Sequence, residues 1–162
     1  MSEGIVWKYG DDIDTDQIIA SQYLLDSDIY EMKKHTFESI DSSFAERVKK
    51  GDFIVAGKNF GCGSSREQAP IVLKKLGIEC IIAESFARIF FRNSINIGLP
   101  VFIIEDLYSH VETGDHLEIF LSDGFLKHKG NKYLLNSYPE YIYKIIKNGG
   151  MINFVNNTGG EI

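Results

Sequence analysis

Asp52-Phe53-Ile54-Val55-Ala56-Gly57-Lys58-Asn59-Phe60-Gly61-Cys62-Gly63-Ser64-Ser65-Arg66-Glu67-Gln68-Ala69-Pro70 is the stretch that decides the fold. Its opening residues form a short apolar run that stops at a glycine, which predicts a buried strand over 52–56. From Ser65 the spacing turns helical and continues to Leu76. Between the two, Gly57, Gly61 and Gly63 let the backbone turn tightly and come close to a bound group. Ser64 or Ser65 is placed to cap the new helix, and Ser65 with Gln68 fits a capping box. A helix start offers unpaired N–H groups and the positive end of a dipole, both of which attract anions. Arg66 adds a planar fork suited to bidentate carboxylate binding. Together these features predict a pocket for a carboxylate-bearing small molecule.

Working outward, strands at 52–56, 79–83 and 100–104 alternate with helices at 65–76 and 86–96. That rhythm predicts parallel crossover units with helices packed on a sheet. Upstream, Ile5–Tyr9 reads as a first strand, followed by the acidic loop Gly10–Asp16 and by helices over 27–34 and 42–50. Downstream, His116–Leu121 and Phe125–Lys129 flank Ser122-Asp123-Gly124, a hairpin signal. Tyr133–Leu135 adds a further strand, and Pro139 opens a last helix that runs to Lys147. The expected fold is α/β, a mainly parallel sheet with flanking helices and an added β-hairpin. Residues 1–162 are read as one domain with a frayed tail over 156–162, since no linker or repeat divides them.

Composition narrows the function classes. A chain of 162 residues that is 44% hydrophobic can build a real core. Its net charge of −6, with no basic run, argues against nucleic acid or an anionic membrane as partner. No apolar stretch reaches transmembrane length, and the first residues do not read as a signal peptide. Cys62 and Cys80 lack C-x-x-C spacing, which fits a reduced, cytoplasmic setting and no self-contained cluster. His35, His110, His116 and His128 are scattered, so no metal site is expected on this chain. Three familiar chemistries also fail at the glycine loop. No lysine follows Gly63 as a P-loop requires, Ser64 is not in a G-x-S-x-G elbow, and Arg66 stands where a dinucleotide fingerprint needs its third glycine.

Phe60-Gly61-Cys62-Gly63-Ser64-Ser65-Arg66-Glu67 resembles the signature of the aconitase-type swivel domain family. It is most similar to the small subunits of isopropylmalate dehydratases and archaeal-type homoaconitases. Asp11-Asp12-Ile13-Asp14-Thr15-Asp16-Gln17-Ile18-Ile19 resembles the family's D-x-I-D-T-D-x-I-I. Glu84–Asn93 resembles its S-F-A-R-I-F segment, and Asn96–Pro100 its N-x-G-L-P. These segments run in family order across most of the chain.

The resemblance implies a swivelling β/β/α domain and a hydro-lyase that isomerises hydroxy acids. It also implies a separate large subunit carrying a 4Fe–4S cluster as Lewis acid, with no cofactor on this chain. Ser64 then takes the role of base, and Arg66 holds a substrate carboxylate and keeps Ser64 ionised. Asp16 lies near the site and orients a histidine or arginine of the partner, while Asp12 and Asp14 are turn residues. Gly63 and Ser65 belong to substrate binding, with Ser65 capping the helix. Cys62 fills space, and Arg88 and Arg92 form structural ion pairs or contacts near an interface.

Tyr23-Leu24-Leu25 corresponds to the family's recognition loop over the substrate side chain. Homoaconitase-like members place an arginine where Leu25 stands, and an apolar residue there suits an isopropyl group. Asp26 further disfavours a tricarboxylate. The implied reaction is the interconversion of 2- and 3-isopropylmalate in leucine biosynthesis. Homoaconitate, 2,3-dimethylmalate and citramalate-type dehydratases remain open, as does a non-catalytic carboxylate-binding module.

Overall fold

The computed structural model describes residues 1–25, 28–136 and 138–160. Their strands are β1 (Ser2–Tyr9), β2 (Phe53–Ala56), β3 (Cys80–Ala83), β4 (Val101–Ile103), β5 (His116–Phe120), β6 (Phe125–His128) and β7 (Asn131–Leu134). They form one sheet in the order β4-β3-β2-β1-β5-β6-β7. The helices are α1 (Thr15–Ile18), α2 (Ile29–Met32), α3 (Phe44–Arg47), α4 (Gln68–Leu76), α5 (Arg88–Asn96), α6 (Glu140–Lys147) and α7 (Met151–Thr158). Among the described residues, no helix is long and apolar enough to cross a membrane.

The sheet changes character at β1. On one side, β1 to β4 run parallel, with α4 and α5 as crossovers. Every residue of β2 and β3 is buried, as expected for central strands covered on both faces. On the other side, β5, β6 and β7 are antiparallel. Burial along β5 alternates, which marks one solvated face. The predicted hairpin is present, its reversal made by a turn over Leu121–Asp123 and by Gly124 at φ +71°. With β7 added, the antiparallel side is larger than a single hairpin.

Register positions the loops. Tyr9 pairs with Ala56, and Ala56 with Ala83, so the carboxyl ends of β1, β2 and β3 form one rim. Beneath that rim, the buried Asp52 accepts from Ile5 N, Lys49 N and the indole N–H of Trp7, leaving no unmet charge in the core. At the outer edge of β4, Ile103 N donates to the side chain of Asn136, and Tyr138 hydrogen-bonds Val101. Asn136 and Tyr138 lie just past β7, so the chain returns from one edge of the sheet to cover the other.

Several expectations needed adjustment. The helix over 42–50 shrinks to α3, because Val48 is extended and Lys49 N turns to Asp52. The helix over 27–34 reduces to α2, capped by Asp28 and followed by a tighter turn at Lys33–His35. The helix expected from Ser65 begins at Gln68. The sequence reading also missed α7, which takes in 156–158 of the tail expected to fray. Gly149 and Gly150, both at positive φ, reverse the chain, and the buried Phe154 anchors the new helix. Asp26 and Ser27, where a substrate-repelling acid and a helix start were expected, lie outside the described residues.

Candidate active site

Three loops leave the rim and are stitched together by their backbones. Asp12 N donates to Lys58 O at 2.8 Å, Gly61 N to Ile13 O at 2.8 Å and Thr15 N to Cys62 O at 2.9 Å. The third loop joins through Phe60 N to Ser85 O at 3.0 Å and Ala87 N to Phe60 O at 2.9 Å. Gly61 has φ +78°, and a Cβ there would fall 2.1 Å from Phe90 Cγ, so only glycine lets the loop cross α5 this closely. Gly63, expected to bind substrate, has φ +89° and presses on the Asp14 carboxylate; a Cβ would lie 2.3 Å from Asp14 Oδ2.

This framework brings together three residues singled out from the sequence. Ser64 is exposed at the carboxyl end of β2, and its backbone O accepts from Arg66 N at 2.8 Å. Arg66 leaves only 15% of its side chain exposed. Its Nη1 donates to Asp16 Oδ1 and, at 3.0 Å, to Ile19 O. Asp16 Oδ1 also accepts from Ser21 N at 3.3 Å. The Arg66 hydrogen bond, more than its charge, holds the Asp16 carboxyl below its usual range. Asp16 thus also orients an arginine of its own chain. Among the described residues, the in-chain bonds of Arg66 use only Nη1. Nε and Nη2 make no hydrogen bond among the described residues.

The capping expectation fails. α4 begins at Gln68, with Glu67 as cap residue and no side-chain cap bond. The bonds Arg66 N to Ser64 O and Ala69 N to Arg66 O keep both serines in a turn upstream of the helix. Ser65 is exposed and makes no side-chain hydrogen bond among the described residues, so the capping box is absent. The true cap in this region is Asp14. It accepts from Asp16 N at 2.7 Å and forms a capping box with Gln17 at the start of α1. Asp12 accepts from Asn59 Nδ2 at 2.8 Å, a turn role as expected.

Sequence reasoning missed Thr15. It is 1% exposed, and its hydroxyl lies 3.1 Å from Ser64 O and 3.3 Å from Ser64 Oγ. The available signal was a hydroxyl between two acids in a motif already singled out for chemistry.

Tyr23, Leu24 and Leu25 form a tight turn directly after α1. Among the described residues, their link to the glycine loop runs through Ser21, Asp16 and Arg66, with no direct bond to Ser64. Leu24 packs against the core, whereas Leu25 is 92% exposed. Tyr23 stacks on His35 with ring centroids 3.8 Å apart and donates its hydroxyl to Glu38. His35 lies 3.3 Å from the same carboxylate. The Tyr23 bond, then His35, holds Glu38 below its usual range, and the same bond pushes the Tyr23 phenol up. Nothing in the spacing of His35 and Glu38 marked them as holding Tyr23.

The remaining candidates separate cleanly. Burial, then Asp14 and Asp12, pushes the Cys62 thiol up, which suits a space-filling residue more than a nucleophile. Arg88 and Arg92 are exposed on α5 and form no ion pair among the described residues, contrary to the structural pairs expected. Cys62 and Cys80 sit in different elements, and no group of three or more His, Cys, Asp or Glu among the described residues is placed to hold a metal. The described side chains therefore do not fit a cluster. Clefts of about 690 Å³ beside α6 and about 520 Å³ beside α7 are lined by no residue of the glycine loop. Ser64 itself is exposed on the rim.

A split sheet with a glycine loop and a serine–arginine–aspartate group on its parallel rim defines a class. The chain belongs to the aconitase C-terminal domain family, whose model matches residues 8–105. It is similar throughout to proteins described as 3-isopropylmalate dehydratase small subunits. The Clostridioides difficile protein is 50% identical over 162 residues, covering 99% of each chain. Small subunit 1 of Archaeoglobus fulgidus is 51% identical over 153 residues, covering 93% of this chain and 94% of that one. The crystal structure of 3-isopropylmalate dehydratase from Methanocaldococcus jannaschii superposes with a TM-score of 0.91 at 42% identity, covering 97% and 94%.

Proposed function

We propose that this chain is the small subunit of a 3-isopropylmalate dehydratase, which interconverts 2- and 3-isopropylmalate on the route to leucine. The observation that carries the reading is likeness over essentially the whole chain, 50% across 162 residues, to a protein of that description. Ser64, as its alkoxide, takes the proton from the carbon beside a substrate carboxylate, while the hydroxyl departs from the neighbouring carbon. Rehydration returns proton and hydroxyl with their positions exchanged. Arg66 binds a carboxylate through Nε and Nη2, its orientation held by Asp16 and Ile19 O. Gly63 lets the loop lie close to Asp14 and to substrate, Ser65 offers an unengaged hydroxyl, and the Tyr23–Leu25 turn meets the alkyl group.

The rest of the site belongs to a large subunit. Its 4Fe–4S cluster supplies a Lewis acid for the departing hydroxyl. Charge supports the need for a partner: Asp11, Asp12, Asp14 and Asp16 crowd this rim, and Asp16 already offsets Arg66. A dicarboxylate needs further cations, which a second subunit would bring. The same excess of acid weighs against a stand-alone carboxylate-binding module. Two free thiols accord with a cytoplasmic setting.

The test is anaerobic co-expression with a candidate large subunit, followed by assays on isopropylmalate, homoaconitate and 2,3-dimethylmalate. The reconstituted pair should prefer isopropylmalate, and the isolated chain should be inactive and iron-free. Turnover or stoichiometric iron in the isolated chain would refute the division of labour. A preference for homoaconitate would refute the substrate.

A further inference from the structure

Thr15 is a polar side chain with 1% exposure, fixed among the acidic residues Asp14 and Asp16 by its own backbone bonds. Its N–H donates to Cys62 O at 2.9 Å, and its carbonyl accepts from Ile19 N at 3.0 Å. A β-branched side chain on such a backbone has few rotamers available, so the hydroxyl is aimed. It is aimed at Ser64 alone, 3.1 Å from the carbonyl oxygen and 3.3 Å from Oγ. A threonine hydroxyl has one proton to give and lone pairs to accept with. When Ser64 is protonated, Thr15 donates to the carbonyl and accepts from Ser64 Oγ–H. When Ser64 has lost its proton, Oγ is the far stronger acceptor, and the same Thr15 proton turns to it without any heavy atom moving.

We infer that Thr15 is a positioning residue for the reaction, holding Ser64 Oγ in line and donating to it in its ionised form. The inference rests on the reading of Ser64 as the base. The surroundings give the donor its importance. The titratable groups on the elements packed around Ser64 are Asp11 and Asp12 in the acidic loop, Asp14 and Asp16 at the start of α1, and Lys58, Cys62, Arg66 and Glu67 in its own loop. Asp14 presses on Gly63, the neighbour of Ser64, and its negative charge opposes an alkoxide. The positive charge of Arg66 is shared with Asp16. The start of α4 lies past Ser64, at Gln68, and its cap residue is Glu67. A buried neutral donor stabilises such an anion without adding a charge to this group.

Thr15→Val keeps the shape and removes the donor, and Thr15→Ser keeps the donor. In the holoenzyme reconstituted with its large subunit, Thr15→Val should lower kcat by about 10- to 100-fold. KM should stay within about twofold, because substrate is not touched. The rising limb of kcat against pH should move up by about one unit, since the ionised base has lost a donor. Thr15→Ser should restore the limb and most of the rate. Thr15→Ala serves as a second donor-free variant if valine prevents assembly, with melting temperature and complex formation as controls. A wild-type limb in both donor-free variants, a loss confined to KM, or a serine variant as impaired as valine would overturn the inference and leave the site reading intact. Near-normal turnover by Ser64→Ala would bring down the site reading, and this inference with it.

Discussion

The two sides of the sheet are built by different physics. The parallel side hides whole strands, with β2 and β3 buried at every residue, so its sequence is continuous apolar run and its specificity lies in loops. The antiparallel side alternates along β5, keeps a wet face and closes its turns with charge: Asp115 meets His128 at 3.0 Å and Lys129 at 2.9 Å. Only the parallel side presents a row of carboxyl ends, and only there do three loops converge. Open α/β sheets bind ligands at that edge because crossovers leave the loops free to diverge there. Chemistry should therefore be fragile on the parallel rim and tolerant on the antiparallel wing.

The largest expected contrast is in turnover. Ser64→Ala in the reconstituted enzyme should cut kcat by about 10²- to 10⁴-fold, the range for removing a proton-transfer group. Its melting temperature should barely change, since Ser64 is exposed. A matched change on the wing, Leu134→Ala at a residue 73% exposed, should leave kcat near wild type. Equal losses from both would erase the distinction.

Glycines give the next contrast, read in stability. Gly61→Ala puts a Cβ 2.1 Å from Phe90 Cγ at φ +78°, against a ring that is itself 2% exposed and cannot retreat. The left-handed backbone and the overpacking together should cost about 2–5 kcal/mol in chemical denaturation. Gly124→Ala on the wing has φ +71° with nothing within 4 Å, so only the backbone term of about 1–2 kcal/mol applies. Similar midpoints for the two variants would show that the glycine loop is not clamped onto α5.

Arg66→Lys tests the fork. A lysine can satisfy Asp16 or Ile19 O but cannot also present two parallel N–H groups to a carboxylate. A loss of about 10- to 100-fold in kcat/KM is expected, the scale of one charge-assisted bond. Leu25→Arg should act on selectivity instead, shifting the ratio of homoaconitate to isopropylmalate turnover by about tenfold with no loss of stability, because Leu25 is 92% exposed. An unchanged ratio would remove the Tyr23–Leu25 turn from substrate recognition.

What could be read from the sequence follows the same divide. Buried parallel strands announce themselves as short apolar runs, and the glycine loop between β2 and α4 carries its motif in consecutive residues. Ser64, Arg66 and Asp16 lie together on the rim, with Asp16 bonded to Arg66. The failures at the site and at the sheet edge involve partners distant in sequence. The serines looked like caps because Gln68 stands three residues after Ser65, yet tertiary bonds to residues 13–15 hold that stretch out of the helix. Thr15 is 49 residues from Ser64, and the closing bonds of Asn136 and Tyr138 span 33 and 37 residues. Spacing rules cannot see such pairs. α7 was hidden because Gly149 and Gly150 read as an ending, when they are a reversal that lets Phe154 reach the core.

The smallest effect concerns the wing and its charges. Asp115 Oδ2 accepts from Lys129 Nζ at 2.9 Å, from Glu112 N at 2.9 Å and meets His128 Nε2 at 3.0 Å. The Lys129 bond first, then the Glu112 N–H, lowers its pKa from 3.8 to about 2. A carboxyl depressed in the folded state adds stability above its unfolded pKa and loses it as pH falls through the folded value. The contribution should therefore be nearly whole above about pH 4, fall away towards pH 2 and be gone below it. Its size should be about 0.5–1 kcal/mol, because solvent screens the lysine arm, 63% exposed. Asp115→Asn should raise amide exchange in β5 and β6 at pH 6 while leaving residues 57–67 unchanged. The wild type should approach the variant on the wing as the pH falls through 2 and below, where the Asp115 carboxyl becomes neutral like the asparagine. The rim weakens separately as the pH falls, because the Arg66 hydrogen bond also depresses Asp16, and Asp16→Asn should expose that component without touching the wing. If Asp115→Asn loosens the glycine loop as much as the hairpin, the two sides of the sheet are one cooperative unit, and the contrast between them is confined to chemistry.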